Sequence, residues 1–258
     1  MNRRKFLSTG LIVGASASLS GCDFLSDQVK KGSAANQFMA KANRLTMSAQ
    51  RALLGPNDLA QEFTRSEIRQ GQFPNGVTSP PDTDYQAMLK NGFRDWRLSV
   101  TGLVNKPLSI SLDDIMQMQR RTQITRHDCV EGWSCIAQWT GVPLSIVLDA
   151  AQVKDNARYV VIKCMDTIER SLSGSVKYYE SIDMVDARHP QTILAYGLNG
   201  DMLPERNGAP LRIRVERQLG YKMAKYINAI ELTDDLSLYG AGKGGYWEDR
   251  GYDWYAGI

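Results

Sequence analysis

The sequence lacks a basic excess in the part that would form a folded domain. The whole chain carries 31 lysines and arginines against 28 acidic residues, a formal net charge of +3. Arg3, Arg4 and Lys5 stand together at the N-terminus, and without them the two counts are equal. Proteins that bind nucleic acids usually present a basic face. The composition therefore gives no support to a nucleic-acid-binding function.

Two further signatures are missing. The sequence has no Cys-x-x-Cys-His motif of the kind that attaches a c-type haem, and no second long hydrophobic run follows residue 19. No internal repeat is visible either. A chain of 258 residues with 43% hydrophobic residues can nevertheless bury a full core. We expect a single domain of about 200 residues with an N-terminal tail.

The first residues resemble an export signal. A basic cluster precedes a weakly apolar run over residues 6–19, which is short for a membrane span. The paired arginines resemble a twin-arginine signal, which serves proteins that are exported already folded. Such export suits a protein whose cofactor is inserted in the cytoplasm. The signal therefore predicts a cofactor and a periplasmic location, or one at the outer face of the cytoplasmic membrane.

The end of this run resembles a bacterial lipobox, Leu19-Ser20-Gly21-Cys22. Cleavage near the small residues 15–17 is the alternative. With the lipobox, residues 1–21 are the signal and residues 22–36 form a polar tether. Lipidation of Cys22 would then anchor the domain, residues 37–258, to the membrane.

Cysteines are few. If Cys22 is lipidated, Cys129, Cys135 and Cys164 remain, an odd number in a compartment that permits disulfides. At least one thiol then has no partner within the chain. Such a thiol is either buried and inert or bound to something other than sulfur.

Hydrophobic periodicity predicts more strands than helices. The predicted strands cover residues 97–104, 122–129, 159–164, 192–198, 211–215 and 226–232. The predicted helical segments cover residues 36–54, 112–119, 141–151 and 181–187. Residues 56–84 are rich in Gly, Pro, Asn and Gln and predict a long irregular segment, which is either a functional loop or a cover over a site. The pattern indicates an α+β fold with a β-rich core.

The stretch RHDCVEGWSC, residues 126–135, is the densest chemical motif. Zinc sites commonly use Cys-x(2–4)-Cys pairs, and the spacing of His127, Cys129 and Cys135 fits no common zinc pattern. A disulfide between Cys129 and Cys135 is sterically possible but leaves Cys164 alone. The third interpretation is one thiolate bound to a soft, redox-active metal such as molybdenum. The residues alone leave the last two interpretations open.

A basic segment lies between Arg212 and Lys225. It holds five cationic side chains against the single acidic Glu216, and Gly220 allows close backbone approach. The cationic residues are Arg212, Arg214, Arg217, Lys222 and Lys225. Either this segment binds an anion or it is a solvated strand edge.

Several stretches, in order, resemble the molybdopterin-binding domain of the sulfite oxidase family, in the branch of the periplasmic methionine-sulfoxide reductase catalytic subunit. These stretches are RHDCVEGWS, WTGVPLSIVL, HPQTILAYGLNGDMLPERNGAPLRIRV, RQLGYKMAKYINAIEL and GYWEDRGYDWYAGI. The resemblance covers residues 55–258. The stretch after Glu131 and the aromatic C-terminus differ from that reductase, so its substrate does not transfer directly.

The resemblance implies a molybdenum-molybdopterin cofactor with Cys129 as the protein ligand of the metal. It implies that Asn207 and Arg212 contact the pterin and that Lys222 and Lys225 form its phosphate-binding turn. His189 and Asn75 are further candidates for cofactor binding. Sulfite oxidases carry an arginine five residues after the ligand cysteine, where this chain has Ser134. Sulfite oxidation is therefore disfavoured.

Two other features remain open. Glu131 is a candidate for proton delivery or for an ion pair with a neighbouring arginine, the ion pair being preferred. The aromatic residues of the C-terminus form a lid, a partner surface or part of the core, core packing being preferred. They are Tyr246, Trp247, Tyr252, Trp254 and Tyr255.

The function implied is oxygen-atom transfer, such as reduction of a small sulfoxide or N-oxide. Because the chain has no haem motif, the implied electron partner is a membrane cytochrome b or a soluble cytochrome c. Oxidation of sulfite or a related oxyanion is one alternative. A non-catalytic lipoprotein that serves as a binding module, with a Cys129–Cys135 disulfide, is the other.

Overall fold

The structure is a computed structural model that describes residues 34–171 and 174–258. The expected signal, the lipobox and most of the tether lie outside the described residues. The chain divides into two units at Leu53 and Leu54. Of the first unit the structure describes helix α1, Ala34–Leu53, which was predicted within two residues. No described helix has both the length and the apolar content needed to cross a membrane.

The second unit is rich in strands. Its strands are β1 (Arg97–Gly102), β2 (Leu108–Ser111), β3 (Arg121–Asp128), β4 (Ser134–Pro143), β5 (Tyr159–Ser171), β6 (Gly174–Asp183), β7 (Ile193–Leu198), β8 (Asp201–Met202), β9 (Arg212–Arg214) and β10 (Ile227–Thr233). Its helices are α2 (Thr83–Lys90), α3 (Leu112–Gln117), α4 (Leu144–Ala151) and α5 (Met184–Ala187). Short 3-10 turns cover Arg65–Glu67, Glu205–Asn207, Gly220–Lys222, Leu236–Leu238 and Glu248–Arg250. The predicted α+β class with a β-rich core is confirmed.

The first sheet has the strand order β2-β1-β10-β5-β6. Strands β1 and β10 pair in parallel, and the other neighbours are antiparallel. The alternating residues of β1 place Leu98 and Val100 in the core with no exposure. Ile230 of β10 and Ile162 of β5 join them in the same hydrophobic cluster. This alternation is why the sequence predicted β1.

The second sheet has the order β3-β4-β7-β8, with β9 paired to β7. All of β7 is buried, as its continuous apolar sequence requires. At the register shift in β4, a Cβ on Gly141 would lie 2.2 Å from the Leu194 carbonyl oxygen, so only glycine permits this approach. Residues of both sheets and of α2, α3 and α4 share the main core.

Three sequence predictions need correction. The strand predicted to end at Cys164 continues to Ser171 and forms a hairpin with β6, which was not predicted. Strand β4 was also missed, and helix α4 begins at Leu144 because residues 141–143 belong to that strand. The irregular segment ends where α2 begins at Thr83.

The irregular segment runs beside the second sheet. The Phe63 amide donates to the Ile124 carbonyl at 2.8 Å, and the Arg69 amide donates to the Ile136 carbonyl at 3.1 Å. These bonds attach it to β3 and β4, the two strands that lead into and out of the Cys129 turn.

Candidate functional site

Cys129 lies in the turn that joins β3 to β4. Its amide donates to the Trp133 carbonyl at 2.9 Å, and the Gly132 amide donates back to the Cys129 carbonyl at 3.0 Å. Gly132 adopts a φ of 87°, which favours glycine. The hairpin register pairs His127 with Cys135. The turn is thus fixed from both strands, and it holds Cys129 at 8% exposure.

The three cysteines of the described residues are buried free thiols. Burial raises the pKa of Cys129, and the Glu131 carboxylate adds to this, whereas hydrogen bonds to the backbone at Glu131 and Val130 lower it. A metal cation at the sulfur would offset the burial and hold the thiolate. The Cys135 thiol donates to Gln72 Oε1 at 2.8 Å instead of bonding to Cys129. The described structure therefore does not contain the disulfide of the alternative hypothesis.

Cys129 opens into a cleft with an empty volume of about 760 Å³, including its part open to solvent. The residues that line the cleft are Asn75, Gly76, Val77, Cys129, Val130, Glu131, Asp166, Ile168, Tyr178, Gly220, Tyr221, Met223, Ala224, Lys225, Trp247 and Tyr252. Its ionisable side chains other than Cys129 and the tyrosines are Glu131, Asp166 and Lys225. Among the described residues, no arginine lines this cleft. The lining is mainly apolar and aromatic, which suits a neutral ligand better than an anion.

Asp166 and Lys225 are the buried charged groups of the cleft. Burial raises the pKa of Asp166 to about 6, and its Oδ1 has no hydrogen-bond partner among the described residues. Burial, followed by the neighbouring Arg212, lowers the pKa of Lys225 to about 7. The Lys225 ammonium donates to the carbonyls of Asn75 and Val77. Lys225 thereby holds the irregular segment against the cleft, and the predicted candidate Asn75 lies there.

A smaller cavity of about 250 Å³ shares Asn75 with the cleft. Asn207 and Arg212, both predicted from the resemblance, line it together with His127 and Trp139. The Arg212 guanidinium donates to the Asn207 carbonyl at 2.9 Å and lies 4.9 Å from the centre of the Trp139 ring. Its Nε and the Trp139 Nε1 have no hydrogen-bond partner among the described residues. The cavity therefore has two buried donors available for a ligand.

A buried network behind this cavity was not anticipated from the sequence. Arg214 donates to His127 Nδ1 at 2.7 Å and forms a fully buried ion pair of 2.6 Å with Glu216. Burial and the charge of Arg214 hold the pKa of His127 well below its usual value, so this ring is a neutral acceptor. Gln123 donates to Glu216 at 2.7 Å. Because Arg212 and Arg214 are almost fully buried, the alternative of a solvated strand edge is wrong.

Two predicted cofactor-binding residues lie outside both cavities. His189 contacts the Asp58 carbonyl through Nε2 at 2.9 Å and accepts from the Gln191 amide through Nδ1 at 3.2 Å. The Lys222 ammonium is fully buried between Glu180 and Glu248, 2.5 Å from each carboxylate. Each side chain already has its partners, so these positions give no support to a role in cofactor binding. That role stays a prediction for both residues.

The remaining candidates are Glu131, Ser134 and the aromatic residues of the C-terminus. Glu131 lines the cleft and accepts from the Trp133 indole at 2.9 Å, instead of forming the expected ion pair with an arginine. Ser134 is exposed and donates to Asp128. Of the C-terminal aromatic residues, Tyr246 is buried whereas Trp247 and Tyr252 line the cleft. The preferred expectation of core packing thus holds for Tyr246 and not for these two.

Comparison with known proteins supports the resemblance to the sulfite oxidase family. Residues 85–238 match the family model described as the oxidoreductase molybdopterin binding domain. A chain of Azospira oryzae named as a protein-methionine-sulfoxide reductase subunit, YedZ1, is 35% identical over 255 residues, 99% of this chain and 87% of that protein. The protein-methionine-sulfoxide reductase catalytic subunit MsrP of Ralstonia nicotianae is 38% identical over 147 residues, 54% of this chain and 44% of that protein.

Other matches cover less. MsrP of Xanthomonas campestris is 37% identical over 55% of this chain and 46% of that protein. The chain thus spans less than half the length of these MsrP relatives. The crystal structure of the sulfane dehydrogenase SoxCD from Paracoccus pantotrophus is similar at a TM-score of 0.49 and 23% identity, covering 59% of this chain and 45% of that chain.

The residues present fit a molybdopterin cofactor. One buried thiol, Cys129, faces the cleft, and one sulfur ligand is what a single-cysteine molybdenum site needs. Arg212, whose Nε has no hydrogen-bond partner among the described residues, and Asn207 both line the adjoining cavity. A Cβ on Gly220 would lie 2.5 Å from the His127 ring, so only glycine lets the backbone at residue 220 approach this histidine so closely.

Proposed function

The chain belongs to the sulfite oxidase family of oxidoreductases with a molybdopterin-binding domain, and on that premise we propose that it reduces a sulfoxide or N-oxide, with methionine sulfoxide as the first candidate. The observation that carries the proposal is the cleft at Cys129, which is largely apolar and which no described arginine enters. A neutral sulfoxide matches this lining, whereas a sulfite anion would find no free cation.

The reaction consumes two electrons and two protons: the sulfur–oxygen bond breaks, the sulfoxide sulfur is reduced to a thioether, and the oxygen leaves as water. The bound cofactor supplies the redox centre for this oxygen transfer. Cys129 would hold the molybdenum, and Asn75, Asn207 and Arg212 would hold the pterin. Asp166 faces the cleft with an unpartnered oxygen and a pKa of about 6, so it can hold a proton for the leaving oxygen.

Three features weigh against sulfite oxidation. Ser134 stands where sulfite oxidases carry an arginine, and its hydroxyl is directed to Asp128. The ammonium of Lys225 already donates to backbone carbonyls. The cleft also carries the acidic side chains of Glu131 and Asp166, which repel anions.

The test is a pair of assays on purified holoenzyme. Chemically reduced enzyme is mixed with methionine sulfoxide, dimethyl sulfoxide or trimethylamine N-oxide, and reoxidation is followed; oxidised enzyme is mixed with sulfite and cytochrome c. We expect turnover with a sulfoxide and none with sulfite. Sulfite-dependent reduction of cytochrome c without sulfoxide turnover would overturn the proposal. Inactivity in both assays, with molybdenum absent from folded protein, would support a binding module instead.

The electron donor is proposed to be a membrane cytochrome b or a soluble cytochrome c. The protein itself is proposed to be exported by the twin-arginine route and anchored through Cys22. The proposals of export and anchoring are supported by the N-terminal sequence alone, which lies outside the described residues. Replacing Arg3 and Arg4 with lysine should retain the protein in the cytoplasm, and Cys22→Ala should release it from membranes. A membrane-bound Cys22→Ala protein would contradict lipid anchoring.

A further inference from the structure

The C-terminal segment builds one wall of the cleft that contains Cys129. Trp247 and Tyr252 line the cleft, and their rings are stacked with centroids 5.2 Å apart at an interplanar angle of 28°. They remain 37% and 39% exposed. The family match ends at residue 238. This aromatic wall, Trp247 and Tyr252, therefore lies beyond the matched domain while it faces the same site.

The aromatic wall is held from behind by buried neighbours. Glu248, the residue after Trp247, is 1% exposed and pairs with the Lys222 ammonium. Tyr246 packs edge-on against Trp247 at 5.1 Å, and Tyr221 packs edge-on against Tyr252 at 5.2 Å. Rings fixed in this way need little ordering when a ligand binds. The wall is thus preformed.

The residues that line the cleft beside the aromatic wall include apolar side chains. Val130, Ile168 and Met223 also line the cleft, and Val130 is 46% exposed. Aromatic rings attract sulfur-bearing and apolar groups, and no described arginine and no free lysine donor offsets that preference. Such a surface selects a ligand by its apolar substituents.

We propose that Trp247 and Tyr252 are the specificity-determining residues of this cleft and select neutral methyl sulfoxides with a bulky apolar substituent over small or anionic oxo compounds. The inference rests on the proposed sulfoxide reduction and goes further by naming the residues that choose the substrate. The wall contacts the substituent, so its loss acts on substrate binding and leaves the reduction step largely intact.

The test compares Trp247→Ala and Tyr252→Ala holoenzymes with methyl phenyl sulfoxide and with dimethyl sulfoxide. For the phenyl substrate, kcat/KM should fall about tenfold or more, mainly through KM, since a lost apolar contact costs that much selectivity. For dimethyl sulfoxide the change should stay within about twofold, because one methyl group makes few of these contacts. Trp247→Phe and Tyr252→Phe keep a ring and should recover most of the loss. Leu238→Ala, at a 74% exposed site outside the cleft, is the control.

A binding measurement tests the role of the aromatic wall independently of the proposed reaction. Methyl phenyl sulfide, the thioether product, is titrated into each holoenzyme by isothermal calorimetry without any reductant. Weakened binding in the two alanine variants supports the aromatic wall even if the wild type reduces no sulfoxide, in which case only the proposed function fails. Unchanged binding and unchanged KM in folded variants overturn the proposed role of the aromatic wall, while the proposal of sulfoxide reduction stands. A wild type that neither binds the sulfide nor reduces a sulfoxide overturns both.

Discussion

The ammonium of Lys222 lies 2.5 Å from Glu248 Oε1 and 2.5 Å from Glu180 Oε1, and all three side chains are buried. One cation therefore joins strand β6, the turn beside Gly220 and the C-terminal segment. Burial raises the pKa of Glu180 well above its usual value, so the pair of carboxylates depends on the lysine charge. This triad fixes the segment that carries Trp247.

Replacing Lys222 with methionine should lower the free energy of unfolding by about 3–5 kcal/mol, because it leaves buried carboxylates without a partner. Urea unfolding monitored by circular dichroism measures this change. The control is Arg188→Met, which removes an exposed ion pair with Asp149 and should cost less than about 1 kcal/mol. Equal effects from the two variants would contradict the structural role of Lys222.

Cys129→Ser should abolish sulfoxide turnover, because a hydroxyl does not replace a thiolate as a ligand of a soft metal. The absorption spectrum of the holoenzyme should change as well. Cys164→Ser is the matched control, since Cys164 is also a buried free thiol but lines neither the cleft nor the smaller cavity. Molybdenum by mass spectrometry and turnover are measured on both. Full activity in Cys129→Ser, or equal losses in both variants, would contradict the assignment of the metal ligand.

Arg212→Gln should reduce the molybdenum content of purified protein several-fold, because it removes a charged guanidinium, with its unpartnered Nε, from the lining of the smaller cavity. The control is Arg206→Gln, at an exposed position six residues earlier. Metal analysis and thermal unfolding of both variants distinguish cofactor loss from misfolding. Unchanged molybdenum in Arg212→Gln would remove this residue from the cofactor site.

The sequence predicted best where a local pattern decides the structure. Strands β1, β7 and β10 followed from alternation or from continuous apolar residues. Strand β4 was missed because Gly141 and Pro143 resemble a helix start, whereas the close approach to Leu194 is what requires the glycine. Strand β6 was missed because its first residues are exposed and give no apolar periodicity.

The site was less predictable because its members come from distant parts of the chain. The two histidines look alike in sequence, yet His127 accepts from Arg214 beside the cavity while His189 contacts the Asp58 carbonyl. Lys222 and Lys225 stand three residues apart, and only Lys225 lines the cleft. Such differences depend on tertiary partners that no local spacing encodes.

The last prediction concerns Asp166 and pH. Its pKa is raised from 3.8 to about 6, mainly by burial, so between these values the folded state binds more protons than the unfolded state. The free energy of unfolding should therefore decrease as the pH rises from about 4 to about 6, by about 2 kcal/mol from this group. Asp166→Asn removes the titrating group and should show a flatter profile.

Urea unfolding of cofactor-free protein at pH 4, 5, 6 and 7 measures these profiles. Without the cofactor, its own ionisable groups do not contribute to the pH dependence. The exposed Asp113, replaced by Asn, serves as the control and should follow the wild type. The difference between wild type and Asp166→Asn isolates this carboxyl from Glu180, whose pKa is also raised. Parallel profiles for the two proteins would mean that Asp166 titrates normally, and its candidacy as the proton-holding group of the cleft would end with that result.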